Sequence, residues 1–185
     1  MRFTSVLILV GTALVLTAAP AHAQWRDYVS HDFGFAFHMP GELSVESGIY
    51  RADTTGEHPT TVYRSTVDDI EYKVMVTDFR HRAGEGASLL EEAAFVFQNG
   101  NSVLSDTYSR VDTVYGRKVT IDLPNDGGRS MAAFYFDRGF LFQLVATVLP
   151  ANGDYGSPKL SRFIVSLTFA ENRVERDATV LELPN

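Results

Sequence analysis

Arg80, His81 and Arg82 are the residues whose type and spacing could do chemistry most directly. The three potential cations follow an apolar strand pattern and precede a glycine-containing loop and a helix start. Cations beside free helix amides can receive a carboxylate or a phosphate. The plainer reading is that the run solvates a strand end and pairs with Glu85, Glu91 or Glu92. These three residues are weak candidates for a binding surface.

The other chemistry-bearing residues are scattered. His31 and Asp32 are adjacent, but neighbouring side chains in extended chain point opposite ways. His38 falls opposite the aromatic face of its own strand and reads as a solvated position, and no histidine pair, His58 and His81 included, has zinc-ligand spacing. The chain contains no G-x-S-x-G, S-x-x-K or H-E-x-x-H pattern. It has no cysteine, which excludes disulfides, Cys-ligated zinc, iron–sulfur clusters and a thiol nucleophile. The reading is therefore no catalytic residue, no metal site and no cofactor. Gln143 is a lone amide in the most apolar segment, able either to orient a ligand in a buried pocket or to bond a neighbouring group.

The elements that would position these residues begin after a leader. Arg2, the apolar and small run Val6–Ala19 and the Ala21-His22-Ala23 site are the marks of a secretory signal peptide, expected to be cleaved after Ala23. Val6–Ala19 is 14 residues, short of the roughly 20 needed to span a bilayer. No stable membrane anchor is expected once it is removed, and the product should be periplasmic or secreted. The 185-residue chain carries a net charge of −7, and cleavage removes only Arg2 from the charged residues. An acidic chain lacks the positive field that non-specific nucleic-acid binding requires, so no nucleic-acid partner is expected.

Residues 24–170 read as a single domain. Phe33, Phe35 and Phe37 alternate in a strand closed by Pro40-Gly41, and a weaker strand covers Leu43–Tyr50. Arg51–Pro59 reads as a polar connection. Thr60–Val67 and Ile70–Phe79 flank Asp68-Asp69 as a hairpin. Ser88-Leu89-Leu90-Glu91 reads as a capping box opening a helix that carries Leu90, Ala93, Ala94 and Phe97 on its apolar stripe and stops at Asn99-Gly100. Phe95 lies on the polar side, so it is either exposed or covered by a loop.

Strands then follow at Val103–Val114, Lys118–Leu123, Arg129–Asp137 and Phe140–Leu149, with Tyr115-Gly116-Arg117 read as a turn. Phe140–Leu149 is apolar on both faces and must be central and covered on both sides. Ser157-Pro158 opens a short helix. Trp25 and Tyr28 should staple the mature N-terminus onto the sheet. Residues 171–185 form a polar tail; Ala178–Leu183 could add an edge strand, with disorder the preferred reading. The fold class is α+β, an antiparallel sheet of about six or seven strands flanked by helices.

The Phe33-Gly34-Phe35 and Phe37-His38-Met39-Pro40 strand, the paired hairpins, the single capped helix and the closing Arg162-Phe163-Ile164-Val165-Ser166-Leu167 run resemble the PsbP-like family and the exported bacterial DcrB group. Position 167 is Leu where similar runs carry Phe. The resemblance implies an α/β/α sandwich without catalytic machinery. It does not imply photosynthesis, because one fold serves unrelated binding roles.

The expected function is that of an exported, non-catalytic binding or assembly-accessory protein of the cell envelope, acting through surface recognition of an envelope protein or a small ligand. The alternatives are a carrier with an apolar cavity between sheet and helix, and an envelope hydrolase with dispersed catalytic residues.

Overall fold

The computed structural model describes residues 24–169 and 179–184; residues 1–23, where the leader is expected, 170–178 and 185 lie outside the described residues. Strands β1 (Trp25–Ser30) and β2 (Phe35–Pro40) form an antiparallel hairpin, and β10 (Thr179–Leu181) pairs with β1 in parallel. The preference for disorder in this part of the tail is thus corrected at Thr179–Leu181, while residues 171–178 of the tail lie outside the described residues. Leu181 is buried against the core, and that apolar contact gives the short strand a reason to pair.

The main sheet is antiparallel and seven-stranded. It is built from β3 (Ser44–Ala52), β4 (Gly56–Val67), β5 (Ile70–Asp78), β6 (Ser102–Val111), β7 (Val114–Asp122), β8 (Arg129–Asp137) and β9 (Phe140–Val148), in the order β3-β4-β5-β9-β8-β7-β6. β9 is the middle strand, as its two apolar faces require. Phe142, Leu144, Ala146 and Val148 enter one core, together with Phe35, Phe37, Tyr63 and Tyr72. Leu141 enters a second core with Tyr50, Phe79, Val119, Ile121 and Phe134. The first core is closed by the small sheet and α2 (Pro158–Ile164), and the second by α1 (Gly86–Gln98). One outer layer is therefore mostly strand, whereas the sequence suggested helices or long loops on both sides. β1 was hidden because Trp25-Arg26-Asp27-Tyr28 mixes aromatic and charged residues.

Local chemistry explains the turns. Asp68 and Asp69 both have φ of 53°, the left-handed geometry of a two-residue hairpin loop that Asp tolerates. Three expectations need correction. Arg51–Pro59 is no open connection: β3 and β4 pair from Ser44↔Arg64 to Ala52↔Gly56, with Pro59 inside the ladder on the β3 side. Tyr115-Gly116-Arg117 lies within β7, and the turn falls at Asp112-Thr113. Gly116 is needed there because a Cβ would stand 2.3 Å from the Phe134 carbonyl oxygen and 2.4 Å from the Tyr135 ring. The capping box does not form. A 3-10 turn at Arg80–Glu85 leads straight into α1, so Ser88 already sits in the helix and its hydroxyl donates back to the Glu85 carbonyl at 2.8 Å.

Among the described residues no helix is long and apolar enough to cross a membrane.

Candidate functional site

Arg80, His81 and Arg82 occupy the 3-10 turn between β5 and α1, and each is already engaged. Arg80 grips Asp78 with an Nη2–Oδ2 distance of 2.6 Å and lies over the Phe140 ring at 5.1 Å. Arg82 grips Glu85 at 2.5 Å. These guanidinium hydrogen bonds hold the Asp78 and Glu85 carboxyls below the usual carboxylate range. His81 stacks on His58 at 5.7 Å, and His58 in turn contacts Phe79 and bonds the Thr55 carbonyl through Nε2. The three residues share a loop but are drawn to different partners.

His38 is not simply solvated. Its Nδ1 lies 2.6 Å from Asp27 Oδ1 and its Nε2 lies 2.7 Å from Arg162 Nη2. Trp25 stacks on the imidazole at 5.2 Å, and the Arg162 guanidinium sits 4.1 Å from the Trp25 ring centre. Ser166 Oγ bonds the His38 main chain, not the ring. The aspartate–histidine pair therefore has its second nitrogen occupied by a cation, and no hydroxyl of a described residue bonds the ring. It fastens α2 to the small sheet. His31 makes no recorded side-chain bond with a described residue, and among the described residues no three His, Asp or Glu side chains gather to hold a metal ion.

Gln143 faces the α1 side of the sheet and is 6% exposed, and its side-chain amide bonds no described residue. Phe140, Phe142 and Tyr72, the residues expected to line a carrier cavity, are instead filled against Phe33, Phe35, Phe163 and Phe169.

The feature that sequence reasoning missed is a pair of tyrosines. Tyr108 on β6 and Tyr115 on β7 are 86% and 72% exposed. The register Tyr108↔Arg117 and Arg110↔Tyr115 makes them diagonal neighbours on the α1 face of the hairpin. They edge a groove of about 510 Å³ whose other wall is the first half of α1, with Leu90, Glu91 and Phe136.

The groove has a rigid frame. Gly86 lets α1 approach Phe136 so closely that a Cβ would fall 2.3 Å from the ring. Arg117 ties the walls together, with Nη2 on Asp106 at 2.5 Å and Nη1 on Glu91 of α1. The Asp106 bonds raise the Arg117 pKa further, so the clamp stays charged. Beside the groove, β6 is the last strand of its sheet, with a register shift between Val103 and Ser105. A bulge of this kind blunts a free edge against promiscuous pairing. The available signal was the polarity of Ser102–Val111 on both faces, which marks an edge strand, and tyrosines on either side of a turn.

No protein-family model matches the sequence, and no curated protein matches it. Among solved structures, the cyanobacterial PsbP of Synechocystis sp. PCC 6803 aligns with a TM-score of 0.51 and 12% identity, covering 85% of this chain and 97% of that one. At such identity the likeness concerns architecture alone: the chain has a PsbP-like α+β fold.

Proposed function

We propose that the protein is an exported, non-catalytic binding or assembly-accessory protein of the cell envelope, recognising a partner protein through the Tyr108–Tyr115 groove. The observation that carries this reading is the exposure of both tyrosine rings at the lip of a rigid groove. Tyrosine presents a large, stiff, amphipathic surface at small entropic cost, and such aromatics anchor protein interfaces. An extended partner segment could lie along the groove between α1 and the β6–β7 hairpin, with its side chains against the two tyrosine rings. The leader supports export, the acidic balance argues against nucleic acid, and the PsbP-like fold is compatible with an accessory role.

Capture from the envelope fraction with the mature chain tests this reading. Tyr108→Ala with Tyr115→Ala is expected to release the captured partner, whereas Arg80→Ala with Arg82→Ala should retain it. Release by the arginine pair alone would move the site to the 3-10 turn. Retention by every variant would overturn surface recognition at either place.

A further inference from the structure

A second concavity lies on the other flank of α1, and its lining is of a different kind. This cleft of about 240 Å³ runs between α1 and the face formed by β3, β4, β5 and β9. Its walls are largely apolar: Ile49, Val62, Met75, Val96, Phe97 and Val145. The tip of the β3–β4 hairpin is fastened to α1 by Glu92, whose Oε1 accepts the amides of Thr54 at 2.9 Å and Thr55 at 3.2 Å. The roof is thus held in place without filling the cleft.

Four polar side chains join the lining, and two of them are satisfied. Thr60 is bonded to Thr77 at 2.7 Å, and Arg51 to Glu57 at 2.7 Å. The other two are Gln143, 6% exposed, whose side-chain amide bonds no described residue, and Tyr50, 7% exposed, whose hydroxyl is fully buried without a partner among the described residues. Buried polar atoms are nearly always bonded, because leaving one unpaired forfeits its hydration without return. The Tyr50 hydroxyl is such an atom, and the unbonded Gln143 amide in the same otherwise apolar cleft marks a place where a bound molecule supplies a missing partner.

We propose that this cleft binds a small, neutral, largely apolar molecule whose uncharged oxygen groups are met by the Gln143 amide and the Tyr50 hydroxyl. The volume falls below the roughly 300–1,000 Å³ of drug-sized sites, which limits the ligand to about the size of a fused bicyclic ring with a short substituent. Arg51 in the lining is neutralised by Glu57, and Glu92, whose negative charge is felt at Tyr50, opposes an anion. Burial and Glu92 both raise the Tyr50 pKa, so the hydroxyl keeps its proton and can donate. Gln143 offers donor and acceptor alike. This inference is independent of the tyrosine groove, which lies across α1.

The neutral naphthyl ketone prodan, titrated into the full mature chain, provides the test. Saturable binding with blue-shifted emission is expected. Val96→Trp, which fills the cleft from an exposed helix position, should lower the affinity by at least about tenfold, and Gln143→Leu by about tenfold. Tyr108→Ala with Tyr115→Ala should leave prodan binding unchanged, so this proposal and the recognition groove can fail separately. Should Val96→Trp reduce the folded fraction, Gln143→Leu decides alone. The proposal is overturned by absence of saturable binding, by binding indifferent to Gln143→Leu, or by equal affinity for the anionic anilinonaphthalene sulfonate. Two ordered waters satisfying Gln143 and Tyr50 in a ligand-free crystal that excludes prodan would overturn it as well.

Discussion

Arg162 donates from Nη2 to Nε2 of His38 at 2.7 Å. Since arginine has donors only, the ring nitrogen must accept, and the imidazole proton is assigned to Nδ1, where Asp27 receives it at 2.6 Å. One side chain of α2 thereby fixes the tautomer of a strand residue 124 positions away. The same guanidinium covers Trp25. Arg162→Ala removes the hydrogen bond and the cation–π contact together at an exposed position, and is expected to destabilise the fold by about 1 kcal/mol. Urea unfolding measures this, and Arg162→Lys should recover only part of the loss because its point charge lacks the planar fork.

Gly116→Ala should be far more damaging than its size suggests. The new methyl would meet the Phe134 carbonyl oxygen at 2.3 Å, and that atom belongs to backbone in the adjacent strand. Neither partner can yield without opening the β7–β8 ladder. A loss of about 2–4 kcal/mol is expected from such overpacking, read as a fall in the thermal midpoint. Gly84→Ala, whose Cβ would meet nothing within 4 Å, provides the comparison and should leave the midpoint nearly unchanged.

Alkaline pH should unfold the protein through its buried phenols. Burial first, and the nearby Glu92 second, push the Tyr50 pKa from its ordinary value near 10 up to about 12. The folded value lies above the unfolded one, so the stabilisation is complete below about pH 10. It is lost as pH rises towards about 12, where the folded phenol also ionises. Tyr63, Tyr72 and Tyr135 are shifted the same way by burial. Tyr50→Phe should flatten stability against pH in this window, and absorbance at the phenolate band reports the ionisation.

At the acid end the sign reverses. The Asp122 carboxyl is held below the usual range by hydrogen bonds from Arg129, the closer at 2.7 Å. Its contribution is present above the ordinary carboxylate range and is lost as pH falls through the depressed folded value. Arg129→Ala should return Asp122 to the ordinary range, seen as an upward move of its carboxyl carbon titration by NMR.

The legible parts of this protein were those where one local rule acts alone. Asp68-Asp69 announced its turn through side chains that tolerate positive φ, and Arg138-Gly139 through its glycine. β9 declared its central place because Phe142 and Leu141 point to opposite cores. Reading failed where tertiary packing reversed a local meaning. Gly116 and Gly86 look like breakers, yet each is small because another residue lies against it. Ser88 has the right neighbours for a cap, but the preceding 3-10 turn had already started the helix. Gln143 was visible as an anomaly, whereas its companion Tyr50 was not, because only the folded β3–β4 hairpin brings the two into one cleft. Tyr108 looked like an ordinary strand aromatic and Tyr115 like part of a turn, and only the placement of α1 leaves them uncovered.

Site-specific photo-crosslinking in intact cells addresses the proposed recognition groove most directly. A benzophenone amino acid replacing Tyr108 or Tyr115 is predicted to give one discrete protein adduct. The same group replacing Lys159, on α2 across the sheet, should give none. Equal adducts at all three positions, or adducts at Lys159 alone, would contradict recognition through the tyrosine face.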